Sequence, residues 1–195
     1  MLIHRTSYCG DLRRPDVGSE STVTGWVQTR RDHGGCIFID LRDRSGLVQL
    51  VFDPQIDAKA HEEARRIRNE FVLGAKGVVR DRMEGATNPN LPTGEVEIAV
   101  SQLDILNVAE TPPFLIEDDA NVDEEVRMRY RYLDLRRPKI AKLLQLRHRV
   151  TQTVREYMDA NGFLDVETPV LTKSTPEGAR DYLVPSRVSP GQFYA

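Results

Sequence analysis

Cysteine is scarce in this sequence. Cys9 and Cys36 are the two present and share no CxxC spacing, so they make no zinc site by themselves and no disulfide framework. The four histidines, His4, His33, His61 and His148, are scattered without an HxxxH pair, so no metal site is expected. No apolar run is long enough to span a membrane and no signal-peptide hydrophobic stretch opens the chain, so a cytoplasmic protein with no membrane partner is expected. A phosphate-binding loop of the Gly-x4-Gly-Lys-Ser/Thr type is absent. Excess charge of one sign is absent too: 27 Lys and Arg stand against 30 Asp and Glu, a net charge of −3. That balance argues against a nonspecific nucleic-acid coat protein, but a local basic face remains open. A chain of 195 residues holds one large domain, or a small domain with part of another.

What is present begins with β-rich sequence. Residues 22–30 are rich in β-branched and aromatic side chains and predict a strand. Residues 32–35 make a turn, 36–42 a second strand, 43–46 a hairpin turn and 47–52 a third strand. Asp53 followed by Pro54 predicts an N-cap and first helical position. Ile56, Ala60, Ala64 and Ile67 then recur at helical spacing, and Glu62–Arg66 has the favourable i,i+4 order. Residues 71–82 predict a fourth strand, in which Gly74 and Gly77 invite a bulge or a sharp coil. A Gly, Asn and Pro loop covers 83–94, and 95–108 predict a fifth strand. Three strands, a helix and two strands match the order of the OB-fold, a five-strand Greek-key barrel with its helix between strands three and four.

Composition then shifts. Residues 110–125 carry Pro112, Pro113 and a run of acids and predict a linker with an acidic helix start. Residues 126–137 predict a short basic helix, and Pro138 opens a longer one with an apolar stripe of Ile140, Leu143, Leu144, Val150, Val154 and Met158. Gly162 fits the residue that ends it, and 163–172 predict a closing strand. The implied division is a barrel domain over 1–109, a linker or hinge over 110–138, and the start of a second, α+β domain over 139–195.

Alternation on the second strand sends Ile37, Ile39 and Leu41 inward and Phe38, Asp40 and Arg42 outward. On the third strand Val48, Leu50 and Phe52 face in, which leaves Gln49 outside beside Phe38. The first turn adds Arg30, Arg31 and His33. An aromatic ring, an amide and guanidiniums suit an unstacked nucleotide: the ring stacks, the amide reads an edge, the arginines hold phosphate. The same pattern equally fits Phe38 packed under a loop and Arg42 paired with Asp43 or Asp40.

Gly25-Trp-Val-Gln-Thr-Arg-Arg-Asp-His-Gly-Gly-Cys-Ile-Phe-Ile-Asp-Leu-Arg-Asp43, followed by Val48-Gln-Leu-Val-Phe-Asp53, resembles the anticodon-binding OB domain of class II aspartyl-tRNA synthetases of bacterial type. Arg131-Tyr-Leu-Asp-Leu-Arg-Arg-Pro138 resembles the segment leading into their catalytic domain. Gly162-Phe-Leu-Asp-Val-Glu-Thr-Pro169 is similar to class II motif 1, and Ser174-Thr-Pro-Glu-Gly-Ala-Arg-Asp181 to the mobile lid. The resemblance covers essentially the whole chain, in order.

It implies that Phe38 stacks on the middle anticodon base, a uridine, that Gln49 hydrogen-bonds that base, and that Arg31 contacts the stem-loop. It places Pro169 at a homodimer interface. Glu177, with Ser174 and Gly178 in the same lid, would close over substrate aspartate and meet its ammonium; from the residues alone Glu177 is a solvated loop carboxylate. His33 and Gly85 resemble the pair in enzymes of relaxed tRNA choice, which charge both aspartate and asparagine tRNAs; a glycine rejects no base by bulk, and neutral loop variation is the alternative.

The implied activity is ATP- and Mg²⁺-dependent attachment of aspartate to tRNA. The ATP-clamping arginines of motifs 2 and 3 are not in this sequence, so 139–195 read as a truncated start of the catalytic domain. No complete catalytic set and no ATP or metal site are expected from this chain alone, and it is expected to be inactive. Competing readings are a free-standing OB module for single-stranded nucleic acid and a related synthetase for asparagine or lysine. The half-built motif 1 disfavours the first, and the lid sequence disfavours the second.

Overall fold

The structure is a computed structural model that describes residues 4–173 and 182–195. The chain divides into two compact units, Met1–Leu115 and Ile116–Ala195.

In the first unit, β1 (Glu20–His33), β2 (Cys36–Arg42), β3 (Leu47–Phe52), β4 (Val72–Asp81) and β5 (Val96–Asn107) close a barrel in the order β1-β2-β3-β5-β4. Neighbours are antiparallel except β3 and β5, which run parallel. The helix α1 (Ala58–Ala64) lies between β3 and β4 in sequence, which is the OB-fold arrangement. Alternation does what it predicts: Ile37, Ile39, Leu41, Val48, Leu50 and Phe52 are all fully buried in one apolar cluster, with Ala60, Ala64 and Ile67 joining them from α1 and the turn after it.

Glycines mark where backbones must meet. Gly34 and Gly35 both have positive φ (61° and 83°) and form the two-residue turn that joins β1 to β2. A Cβ on Gly77 would lie 2.1 Å from the carbonyl oxygen of Ala99, and the β4–β5 register shifts there, between Lys76 and Gly77. The bulge expected on this strand is therefore present.

The helix departs from expectation at its start. Asp53 does not cap it; its Oδ1 accepts from the Gln55 amide (2.8 Å) in a separate turn. The cap is Asp57, whose Oδ1 accepts from the Ala60 amide at 2.6 Å. Ile56 lies before the helix and is exposed, because it precedes the first turn that can aim it at the core. The surface pair is Glu62–Arg65 (3.1 Å) rather than Glu62–Arg66, since the regular α-helix stops at Ala64.

In the second unit, α2 (Glu124–Arg129) and α3 (Arg131–Asp134) break at Tyr130, where the expected single helix kinks. Asp134 is fully buried there and takes hydrogen bonds from Arg127 (3.1 Å), Arg137 (3.2 Å) and Arg131. Burial alone would raise its pKa. The hydrogen bonds from Arg127 and Arg137 and the charges of Arg127 and Arg131 outweigh that and hold it below the usual carboxylate range. The helix α4 (Pro138–Ala160) starts where the Asp118 carboxylate accepts from the Lys139 amide (3.0 Å). It ends as expected: Gly162 has φ 82°, its amide donates to Asp159, and the Phe163 amide donates to Met158 at 3.0 Å. The apolar stripe of α4 is left open, with Val150 55% exposed.

The closing strand expected over 163–172 does not form. Of this stretch only Thr172 finds a ladder partner among the described residues, exchanging backbone bonds with Ala195 (3.1 and 2.9 Å). A short pair the sequence does not announce, β6 (Val184–Pro185) with β7 (Phe193–Tyr194), completes the described elements.

Candidate nucleic-acid interface

The barrel register sets the outer face of the sheet in rows. Arg31 on β1 stands opposite Phe38 on β2, and Phe38 opposite Val51 on β3. One row along, Thr29, Asp40, Gln49, Glu97 and Arg80 face each other across all five strands. Side chains on one face of paired strands interact directly, and here they form a continuous polar chain. Thr29 Oγ1 donates to Asp40 Oδ2 (2.6 Å). Arg31 Nη2 donates both to Asp40 Oδ1 (2.9 Å) and to Gln49 Oε1 (3.2 Å). Gln49 Nε2 donates to Glu97 Oε2 (2.8 Å), and Arg80 Nε donates to Glu97 Oε1 (2.8 Å).

Phe38 is half-buried and outside the core cluster, so the structure places it on the outer face beside Gln49. Gln49 is not open to water as alternation suggests. It is 7% exposed, because Arg31 and Glu97 flank it. Glu97 is 3% exposed and fully engaged. Arg82, just past the end of β4, has its Nη2 buried and without a hydrogen-bond partner among the described residues. Burial pushes its guanidinium below the usual value, while the charges of Glu97 and Asp40 oppose that shift. An unpartnered buried donor can meet an acceptor on a ligand.

The arginines of this region separate by strand parity. Arg31 is on the Phe38 face. Arg30 points the other way and donates to the carbonyl of Ala64 (3.3 Å), so it anchors the end of α1 instead of the interface. Arg42 pairs with neither Asp43 nor Asp40: it makes a bidentate pair with Glu70 (2.9 and 3.0 Å) and also bonds Gln28. Asp43 is committed to its own turn, accepting from the amides of Cys9 and Ser45 (both 2.7 Å).

His33 ends β1 and is exposed beside the Gly34–Gly35 turn. Gly85 lies in the β4–β5 connection with φ 79° and nothing within 4 Å of a Cβ placed on it. Its backbone conformation alone favours glycine there. Pro169 is exposed and lies in no helix or strand. Ser174, Glu177 and Gly178 fall outside the described residues. Sequence reasoning put Asp40 on the Phe38 face but missed Glu97, Arg80 and Arg82 as members of the interface. One signal was available: Glu97 is the lone charge in the apolar run Val96–Val100.

Two family models match the chain. Residues 21–106 match the OB-fold nucleic acid binding domain, and residues 123–195 match tRNA synthetases class II (D, K and N). A protein of Geobacillus sp. (strain WCH70) named Aspartate--tRNA(Asp/Asn) ligase is 59% identical over 194 residues, which is 100% of this chain and 33% of that relative. One of the same name from Syntrophotalea carbinolica is 60% identical over 191 residues, 98% of this chain and 32% of the relative. Residues 123–195 thus belong to the class II (D, K and N) tRNA synthetases, preceded by an OB-fold nucleic acid binding domain.

It spans about a third of the length of the curated relatives it matches. The solved structures agree on the fold. Asparaginyl-tRNA synthetase of Pyrococcus horikoshii complexed with asparaginyl-adenylate superposes with a TM-score of 0.81 at 23% identity, covering 99% of this chain and 42% of that one. Aspartyl tRNA synthetase of Entamoeba histolytica gives a TM-score of 0.71 at 19% identity, covering 80% and 37%.

Proposed function

We propose that this chain supplies anticodon recognition to an aspartate–tRNA ligase. The observation that carries the reading is Phe38 standing on the outer barrel face, opposite Arg31, beside the amide of Gln49. Phe38 stacks on the middle anticodon uridine, Gln49 reads its edge, and Arg31 contacts the stem-loop. Residues 1–109 are then the anticodon-binding domain, 110–138 the hinge and 139–195 the start of the catalytic domain.

In the whole enzyme the aspartate carboxylate attacks the α-phosphorus of ATP and pyrophosphate leaves. A hydroxyl of the tRNA's terminal adenosine then attacks the adenylate carbonyl, releasing AMP. Charge stabilisation and positioning carry such a reaction. Among the described residues there is no group of three His, Cys, Asp or Glu that could hold a metal ion. Glu177, with Ser174 and Gly178, is proposed to close over aspartate, and Pro169 to lie in a homodimer interface. Relaxed choice between aspartate and asparagine tRNAs, through His33 and Gly85, is the proposed subtype, supported by the printed names of the relatives. No helix among the described residues is long and apolar enough to cross a membrane; a cytoplasmic location is the companion proposal.

A free-standing single-stranded nucleic-acid module is not favoured, because residues 123–195 match the synthetase family. The test is binding of an anticodon stem-loop RNA to the 195-residue chain. Affinity should fall with salt as phosphate contacts are screened, and Phe38→Ala should cost about 1–3 kcal/mol, the scale of a lost base stack. Unchanged binding by that variant would remove Phe38 from the interface.

A further inference from the structure

We propose that Glu97 is a specificity-determining positioning residue. Together with Arg31 it fixes which way round the Gln49 amide lies, so that the amide accepts a uracil edge and rejects a cytosine edge. The proposal rests on the reading of Phe38 and Gln49 as the pair that binds the anticodon base.

The argument is one of hydrogen-bond polarity. An amide side chain can turn over, exchanging its oxygen for its NH₂ at little cost in shape. An ionised carboxylate only accepts, and a guanidinium only donates. Gln49 lies between one of each: its Nε2 donates to Glu97 Oε2 (2.8 Å) and its Oε1 accepts from Arg31 Nη2 (3.2 Å). Turned over, the amide would set oxygen against carboxylate and NH₂ against guanidinium, two repulsive contacts at a site 7% exposed for Gln49 and 3% for Glu97. Burial makes such unpaired polar contacts costly.

Both clamps are themselves held. Arg80 Nε donates to the other oxygen of Glu97 (2.8 Å), so that carboxylate cannot rotate away freely. Asp40 holds Arg31 at 2.9 Å and is itself held by Thr29 at 2.6 Å. The five-strand row is thus a polarity relay with Gln49 at its centre.

Gln49 keeps one N–H on Nε2 and one lone pair on Oε1 for a ligand. Uracil offers an N3–H donor beside a carbonyl acceptor, which complements that pair. Cytosine offers an N3 acceptor beside an amino donor, the reverse arrangement. A free amide meets either base by turning over; a clamped one meets only uracil, and a base stacked on Phe38 keeps its edge in one sense.

The experiment compares the 195-residue chain binding two anticodon stem-loop RNAs that differ only in U or C at the middle anticodon position. The wild-type chain should prefer the U loop by roughly tenfold to a hundredfold, the scale of one bidentate base contact. Glu97→Gln keeps the shape but can donate or accept; with Arg31 and Arg80 both donors, one donor–donor mismatch then remains whichever way Gln49 lies, so its two senses become comparable. The expected result is a gain in affinity for the C loop and a ratio falling toward unity. Damage to the fold alone would weaken both loops and leave no gain. If Glu97→Gln does not fold, Arg31→Gln releases the same constraint from the other side and is judged by the same ratio.

A folded Glu97→Gln with the wild-type ratio overturns the proposal. Equal binding of both loops by the wild-type chain overturns it as well, and Phe38→Ala then separates the two failures: weaker binding retains the stacking reading, and no change removes that too.

Discussion

The barrel and the segment that follows it solve the same problem differently. In Met1–Leu115 the apolar residues of five strands and one helix meet each other: Ile39, Leu50 and Phe52 are fully buried in one cluster. In Ile116–Ala195 the longest helix buries none of its residues, and the organised point is a polar one, the carboxylate of Asp134 among three guanidiniums. A closed sheet supplies its own partner surfaces; a single amphipathic helix cannot. The barrel thus covers its own apolar faces, while α4 leaves its apolar stripe exposed.

The sharpest way to break that comparison is to cut into the barrel core. Ile39→Ala should destabilise the barrel by about 2–5 kcal/mol, as cavity-forming substitutions do. The single tryptophan, Trp26, lies on β1, so its fluorescence during urea unfolding reports the barrel alone. A shift smaller than 1 kcal/mol would mean the core is less tightly packed than its burial implies.

Asp134 tests the second unit. Asp134→Ala leaves three guanidiniums without their shared counter-ion. Breaking a buried pair costs about 3–5 kcal/mol, and the lower end is expected because Arg131 is 44% exposed. Faster amide hydrogen exchange over 124–137, with an unchanged Trp26 trace, is the expected pattern. Acid should act in the same direction. The folded pKa of Asp134 lies below its unfolded value, so the unfolded state binds the proton more readily. The contribution is complete above about pH 4 and is lost as pH falls through the lower folded value. Protection factors measured from pH 5 downward, corrected for the slower intrinsic exchange in acid, should therefore fall over 124–137 in the wild type and show no such added loss in Asp134→Ala.

Phe38→Ala separates function from packing within the barrel: about 1–3 kcal/mol of stem-loop affinity should go, with a small change in the urea midpoint because the ring is outside the core cluster. The smallest effect belongs to α4. Leu144→Ala should change stability by no more than about 0.5 kcal/mol, as at other exposed sites. A larger loss, read by circular dichroism, would show that α4 is covered in solution.

Much of the barrel was legible because its signals are local. Period-two alternation on β2 sorted Ile37, Ile39 and Leu41 from Phe38 and Asp40, and two glycines marked the β1–β2 turn. Gly162 announced the end of α4 in the same way. The interface was only half legible. Phe38, Gln49 and Arg31 stood out by residue type, whereas Glu97 lies 48 residues from Gln49 and became a partner through the parallel β3–β5 pairing. The start of α1 was misplaced because Asp53 and Asp57 are equally good caps by composition, and Asp57 is the one whose carboxylate meets the Ala60 amide. The strand expected over 163–172 failed because β-propensity does not supply a ladder partner.

The order of strands and helix, the inward residues of β2 and β3 and the aromatic residue offered outward are determined by local sequence alone. Those follow from period-two geometry and from the few residues that tolerate turns. Register is set by the folded barrel, and with it the row that clamps Gln49 between an acceptor and a donor, and the choice of Glu70 over Asp40 for Arg42. Which polar groups meet across strands depends on how distant segments align, and one residue of slip would send each side chain to the other face.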